Sequence, residues 1–168
     1  IKVDLTDDGF THIDDIVKLI FQYIKLIRVS GIQQWIYEEQ SRLSEIEFAF
    51  EDERHAMSLV SKIASCMRHY PMREILSGGI LMEEFDPELI NFILNMLTVE
   101  NLRILIVDQT SYYKCNLTEE IFKTKYGCEK VSSSVINAWK FCGLDNDLRI
   151  PEKNLFIPEN FDFHPIEN

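Results

Sequence analysis

The first side chains in this chain that could carry out chemistry are those of four histidines, His12, His55, His69 and His164. None of them lies in H-x-x-E-H or H-E-x-x-H, the spacings that bring two imidazoles together on a zinc ion. His55 and His69 could project from one helix, but fourteen residues correspond to about 21 Å along its axis. Because zinc ligands come as a cluster, the sequence predicts no metal site within this chain.

One pair of residues has the types needed for a nucleophile and its base. Cys66 and His69 are three positions apart, a spacing that lets two side chains meet on a helix. The surrounding positions are rich in apolar residues, so we favour a buried, unreactive thiol. The other cysteines, at positions 115, 128 and 142, have no zinc-binding or redox spacing, and we expect reduced thiols.

Carboxylates occur as adjacent pairs, and adjacent residues on a helix point in different directions. They are therefore poor acid and base partners for each other, and we expect solvated faces at Glu38-Glu39, Glu83-Glu84 and Glu119-Glu120. Gly78-Gly79 lacks the following Lys and Ser or Thr of a phosphate loop. The sequence predicts no catalytic or metal-binding residue, and it leaves the substrate-binding residues unknown.

Charge and hydropathy exclude several classes of partner. The 168 residues carry a formal net charge of −11, which argues against nucleic acid and against anionic membrane surfaces as partners. The longest apolar run, over 104–107, is far too short to cross a bilayer. An apolar fraction of 46% is enough to fill the core of one ordinary domain.

The beginning of the chain predicts a strand followed by an amphipathic helix. Apolar and polar residues alternate over positions 1–5, as in a half-buried strand, and Asp7-Asp8-Gly9 indicates a turn. Thr11 with Asp14 matches a helix-capping box, and Gly31 matches a left-handed helix end. Between them the predicted apolar face consists of Ile13, Ile16, Val17, Ile20, Ile24 and Ile27.

Further helices are predicted over 33–48, 51–70 and 86–97, with short helical turns over 72–76 and 81–85. Acidic residues would open the second of these helices, and Pro71 would end it. Asp86 followed by Pro87 is a strong helix start.

The second half of the chain predicts few strands. Residues 102–107 are almost continuously apolar, like a strand buried on both faces, and 126–131 suit an edge strand. Ser132 leads into a helix through Trp139, and a loop with three prolines begins at Gly143. Two or three strands do not make a protected sheet, so we expect an α+β fold that is part of something larger.

Six segments carry a family resemblance, and they read IFQYIKLIRVSGIQQWIYEEQ, SKIASCMRHYPMREILSGG, EEFDPELI, LTVENLRILIV, TEEIFKTKYG and PEKNLFIPENFDF. In order and spacing, over nearly the whole chain, they resemble the non-catalytic second domain of pitrilysin-type zinc metallopeptidases. The insulysin branch is the better match, and the nardilysin branch is the close alternative. The resemblance implies the helix-rich part of an α/β domain, with a sheet packed on helices, incomplete at its N-terminal side.

On this resemblance, residues 1–143 would be the C-terminal part of that second domain, and 144–168 a proline-containing tail toward the interdomain linker. The parent would be a cytoplasmic zinc metalloendopeptidase that encloses and degrades short to medium peptides, such as insulin-like peptides. Its H-x-x-E-H motif and zinc would lie in another domain, so this chain alone would not be an enzyme. The expected partners are peptide substrates and the parent's remaining domains, with self-association of this segment through exposed strand edges.

Two alternatives stay open at this point. The family's basic stretch on the third helix is replaced here by Glu53-Arg54-His55-Ala56-Met57, so no polyanion site is carried over. That change suits a catalytically inert relative that binds peptides or proteins without cleaving them. An independent helical interaction module is the other alternative, although the strand predicted at residues 1–5 would then lack neighbours.

Overall fold

The computed structural model describes residues 1–52, 55–108, 114–158 and 160–161. Contacts divide the chain into two units. Unit 1 contains residues 1–30 and 89–150, and unit 2 contains residues 31–88 and the chain from Pro151 onward.

Six α-helices and one two-stranded antiparallel sheet are present within the described ranges. In chain order they are α1 Asp7–Phe10, α2 Ile13–Ser30, α3 Gln34–Ala49, α4 Ala56–Cys66, α5 Pro87–Met96, β1 Leu117–Thr118, β2 Lys125–Tyr126 and α6 Ser133–Lys140. Short 3-10 helices cover Met72–Glu74 and Val99–Asn101. The predicted helix-rich α+β class is confirmed.

The first residues differ from the prediction. Positions 1–6 are exposed and form no strand, and Ile1 is 98% exposed. A strand exists only through the hydrogen bonds of a neighbouring strand, and the described chain places none beside this segment. The apolar alternation is therefore present without the sheet that it predicts.

The helix start predicted at Thr11 is also wrong. Thr6 is the capping residue, because its hydroxyl accepts a hydrogen bond from Gly9 N–H at 3.1 Å and starts α1. Thr11 instead follows the end of α1, where its Oγ1 donates to Asp8 O at 2.7 Å. Asp7–Gly9, predicted as a turn, is the body of this one-turn helix.

Helix α2 forms as its apolar periodicity predicts. It ends at Ser30, and Gly31 has a φ of 72°, the left-handed conformation that glycine adopts without strain. The core of unit 1 forms around α2 and consists of Val17, Phe21, Ile24, Leu94, Trp139 and Cys142. Partly buried apolar residues, including Ile13, Ile20 and Ile27, pack against it.

Within unit 2, α3 has nearly the predicted bounds, but the helix predicted over 51–70 is shorter. Residues 51 and 52 are not helical, positions 53 and 54 lie outside the described residues, and α4 ends at Cys66. The chain then turns, and the ring of Tyr70 lies against Gly78, where an added Cβ would be 2.5 Å from Tyr70 Cδ1. Glycine permits that close approach.

The 3-10 helix at Met72–Glu74 confirms the first short turn, whereas 81–85 is not helical. This segment is held by side chains of α3. Ser41 Oγ donates to Met82 O at 3.0 Å, and the rings of Tyr37 and Phe85 have centroids 5.1 Å apart. These contacts replace the local hydrogen bonds that a helical turn would make.

In unit 1, α5 and α6 match their predictions, and Ser132 Oγ accepts from Val135 N–H at the start of α6. The strand predicted over 126–131 is reduced to Lys125–Tyr126, paired with Leu117–Thr118. Residues 102–107 form no strand, and Leu105 and Val107 are 86% and 89% exposed. The prediction of a buried strand is wrong for this chain because the described residues supply no neighbouring strand.

Candidate functional site

The described part of the chain contains three of the four histidines, His12, His55 and His69. His12 is exposed, with Nδ1 3.5 Å from Asp15 Oδ2, and His55 directly precedes α4. His69 lies in the turn after α4, and His164 is outside the described residues. No group of three or more His, Cys, Asp or Glu side chains is arranged for a metal ion within the ranges that the structure describes.

Cys66 and His69 do not form a catalytic pair. The hydrogen bond between them joins main-chain atoms, from His69 N–H to Cys66 O at 2.9 Å. Cys66 is half-buried, so the prediction of a buried thiol is wrong. Much of α4 is exposed in this chain, and the buried cysteine is Cys142 in the core of unit 1.

Three polar side chains of α2, Gln22, Lys25 and Arg28, bond to distant main-chain oxygens, and we call them the α2 clamp. Arg28 Nη2 donates to Leu94 O at 2.9 Å and to Leu97 O at 3.0 Å, at the end of α5. Helix ends leave carbonyl oxygens without helical partners, and a cation is favourable beside them. The clamp therefore satisfies the C-terminal end of α5.

The other two clamp residues reach the chain after α6. Lys25 Nζ donates to Cys142 O at 2.9 Å, and Gln22 Nε2 donates to Gly143 O at 3.0 Å. From the opposite direction, Trp139 Nε1 donates to Asp14 O at 2.9 Å, in the first turn of α2. These bonds fix α6 to α2 at both ends of their contact.

A cavity of about 270 Å³ lies beside the clamp, lined by Phe21, Leu97 and Trp139 together with three cations. Each cation already donates to a protein oxygen: Lys25 to Cys142 O, Arg28 to carbonyls of α5, and Lys140 to the carboxylate of Glu100. Each of the three cations beside the cavity therefore already has an oxygen partner within unit 1.

Replacing Arg28 by Met tests the clamp. The variant keeps much of the aliphatic stem but leaves the carbonyls of Leu94 and Leu97 without this donor. We expect the free energy of unfolding to fall by about 1–2 kcal/mol, since the guanidinium is partly exposed and its bonds are screened. Urea denaturation followed by circular dichroism measures the change. Lys18→Met, the same loss of charge at an exposed position of α2, is the control and should have little effect.

The ion pair between Lys140 and Glu100 predicts that the stability of the fold depends on pH. The hydrogen bond from Lys140 lowers the pKa of Glu100, and bonds from its own backbone N–H and from Thr98 add to this. A depressed folded-state pKa stabilises the fold above the ordinary glutamate pKa, and this contribution is lost as pH falls through the lower, folded value. Glu100→Gln should therefore flatten the acid side of the stability profile. The measurement is the urea midpoint at several acidic pH values, with Glu120→Gln, at an exposed position, as the control.

Unit 2 contains a groove of about 480 Å³ between α3 and the tail that begins at Pro151. Lys153 Nζ lies 5.8 Å from the centroid of the Trp35 ring, and Asn154 N–H donates to Glu39 Oε1 at 3.0 Å. Two tail residues, Leu155 and Phe156, are 89% and 93% exposed. The tail is therefore attached to α3 along this groove, while the apolar side chains of Leu155 and Phe156 remain exposed.

Apolar residues of unit 1 are exposed in three segments. We call residues 1–5 and 102–107 the unpaired segments, because both read as strands and neither pairs with another strand among the described residues. The outer face of α5 is also exposed and apolar, at Leu89, Phe92, Ile93 and Met96. Large exposed apolar surfaces mark places where another protein surface packs. No helix of the described chain is long and apolar enough to cross a membrane.

Sequence reasoning missed the α2 clamp. Its residues recur at three-residue intervals beside the apolar face of α2, which was the available signal. Their partners lie 66 to 121 positions further along the chain, and no local pattern indicates such partners.

Comparison with known proteins gives consistent similarities. Residues 48–168 match a family model described as the middle or third domain of peptidase M16. The chain is 39% identical to human insulin-degrading enzyme over 167 residues, which cover 99% of this chain and 16% of that protein. It is 38% identical to the insulin-degrading enzyme of Drosophila melanogaster over 166 residues, 99% of this chain and 17% of that protein.

Human nardilysin is 30% identical over 162 residues, which cover 96% of this chain and 14% of nardilysin. The crystal structure of pitrilysin matches with a TM-score of 0.85 and 27% identity, over 95% of this chain and 17% of pitrilysin. The chain thus spans about a sixth of the length of these proteins.

Proposed function

This chain belongs to the M16 peptidase family, whose middle-domain model it matches, and from that premise we propose that it is a non-catalytic wall segment of a zinc metalloendopeptidase. The resemblance to pitrilysin-type peptidases in the six quoted segments is confirmed. Under the proposal, the segment supports a chamber in which the parent protein encloses peptides. Residues 1–143 would then belong to the non-catalytic second domain, and 144–168 would lead toward the linker that follows it.

The proposal rests on the two unpaired segments, residues 1–5 and 102–107. In both, the sequence has the apolar pattern of a strand, yet the side chains are exposed: Ile1 at 98%, Leu105 at 86% and Val107 at 89%. Leaving such side chains in water forgoes about 1.5–3 kcal/mol for each one that could be buried. We infer that other strands of a longer parent pair with these segments and complete a sheet.

The zinc of the proposed parent has no place among the described residues, because they contain no cluster of suitable ligands. Zinc and catalysis therefore belong, in the proposal, to another domain. We propose peptides of short to medium length as substrates, including insulin-like peptides, since relatives that are 37–39% identical to this chain are named insulin-degrading enzymes. A cytoplasmic location is part of the same proposal.

A peptidase assay on the full-length protein that contains this chain tests the proposal. We expect it to cleave insulin B chain, to lose activity to a zinc chelator and to regain it when zinc is returned. The isolated 168-residue chain should cleave nothing under the same conditions. A zinc-loaded full-length protein that binds insulin B chain without cleaving it would contradict the proposal and favour an inert relative.

A further inference from the structure

The cavity of unit 1 lies where three parts of the chain meet. Its lining comes from α2, from the end of α5 with the 3-10 helix that follows it, and from α6 with the residues after it. Phe21, Lys25 and Arg28 follow one another at intervals of four and three positions, so they share one face of α2. An apolar residue and two cations of the same helix therefore line one cavity.

The apolar part of the lining is held in place by the core. Phe21 and Trp139 are 9% and 3% exposed, and both belong to the core of unit 1, so packing fixes their rings. The cavity measures about 270 Å³, a little less than the roughly 300–1,000 Å³ of sites for drug-sized ligands. It therefore suits a ligand of one ring with a head group.

The charges around the cavity do not cancel. Lys140 pairs with the carboxylate of Glu100, which also lines the cavity. Lys25 and Arg28 donate only to main-chain carbonyls, which are neutral, and within the described ranges neither forms an ion pair with a carboxylate. Two positive charges are thus left uncompensated beside the cavity, on a chain whose net charge is −11.

Both of these cations can also donate further hydrogen bonds. An ammonium group has three N–H donors and a guanidinium has five. Among the described residues, Lys25 Nζ bonds to Cys142 O, and Arg28 bonds through Nη2. The other N–H groups of Lys25, with Nε and Nη1 of Arg28, can donate to a second acceptor. A carboxylate has two oxygens, and its charge strengthens such bonds.

We propose that this cavity is a binding site for a small aromatic carboxylate. The carboxylate binds Lys25 and Arg28, and the ring packs against Phe21 and Trp139. Inorganic phosphate would satisfy the cations but leave the apolar lining in water, whereas an uncharged ring would leave the cations without a counter-charge. The site consists of residues of unit 1 alone, so it does not depend on the proposed peptidase function.

Lysine footprinting of the full-length protein that contains this chain tests the proposal, with benzoate as the probe. The protein is reductively methylated at increasing benzoate concentration, and peptide mass spectrometry follows Lys25 and Lys18, an exposed residue of the same helix outside the cavity. We expect benzoate to slow methylation of Lys25 with a half-effect at about 1 mM, typical of so small a ligand, and to leave Lys18 unchanged.

Three matched probes separate the ring from the charge. Benzamide keeps the ring without the charge, acetate keeps the carboxylate without the ring, and inorganic phosphate is an anion with no apolar part. Each should need at least about tenfold more than benzoate for the same protection of Lys25. Added salt should weaken the effect of benzoate, because the two cations are exposed and their charges are screened.

A variant gives an independent measurement. Lys25→Met should weaken benzoate binding about fivefold or more in saturation-transfer NMR, whereas Lys18→Met should not change it. Circular dichroism checks that both variants fold, and the footprint of the unchanged protein decides the question if Lys25→Met does not. The proposal is overturned if benzoate does not protect Lys25, if benzamide or phosphate protects it equally well, or if the two variants bind benzoate equally.

Discussion

Replacing Trp139 by Ala should cost about 3–5 kcal/mol of the free energy of unfolding, as is typical when a buried tryptophan is truncated. Trp139 is 3% exposed and lies in the core of unit 1 with Phe21 and Leu94. The substitution leaves a large cavity between α2 and α6 and also removes the N–H bond to Asp14 O. Since domains are stable by only about 5–15 kcal/mol, we expect a large shift in the urea midpoint.

Two further variants separate the causes of this loss. Trp139→Phe keeps an aromatic ring but no indole N–H, and we expect it to cost about 1–3 kcal/mol. Phe141→Ala removes an aromatic side chain that is 76% exposed just after α6. It should change the free energy of unfolding by no more than about 0.5 kcal/mol. A Trp139→Ala variant no less stable than Phe141→Ala would show that Trp139 does not hold α6 against α2.

The second large effect concerns Leu105 and Val107. In the isolated chain both side chains are mostly in water, so the double substitution to Glu should leave the helical circular dichroism signal unchanged. It should also reduce self-association, which we expect from unpaired strand edges. In the full-length protein the proposal buries both side chains, and two buried charges without partners should prevent folding of this domain.

The measurements are light scattering of the isolated chain and soluble yield with thermal unfolding of the full-length protein. Lys18→Glu is the matched control, because it changes the net charge by the same two units at an exposed position of α2, outside the unpaired segments. A double variant that folds and cleaves peptides normally in the full-length protein would show that 102–107 is not buried there.

The helices whose sequence signals lie within a few residues could be predicted from the sequence. The apolar periodicity of α2 and the glycine after it, the Asp86-Pro87 start of α5 and the serine cap of α6 all act within a few residues. Thr11 shows the limit of such reasoning, because its capping-box pattern predicted the start of α2, whereas its hydroxyl bonds to Asp8 O at the end of α1 and α2 begins at Ile13.

Strand pairing and side-chain contacts that depend on distant residues could not be predicted from the sequence. A strand needs a neighbour, so apolar patterns over residues 1–5 and 102–107 could not show whether this chain supplies one. The α2 clamp is similar, because Arg28 meets carbonyls 66 and 69 positions away and Gln22 meets one 121 positions away. Nothing near either residue in the sequence indicates the helix end that it contacts.

The central claim is that this chain is a segment of a larger peptidase domain whose sheet includes the unpaired segments. Amide hydrogen exchange at residues 102–107, compared between the isolated chain and the full-length protein, tests it most directly. The account predicts rapid exchange in the isolated chain and strong protection in the full-length protein, because strand pairing hydrogen-bonds these amides. Equally rapid exchange in both proteins would contradict it.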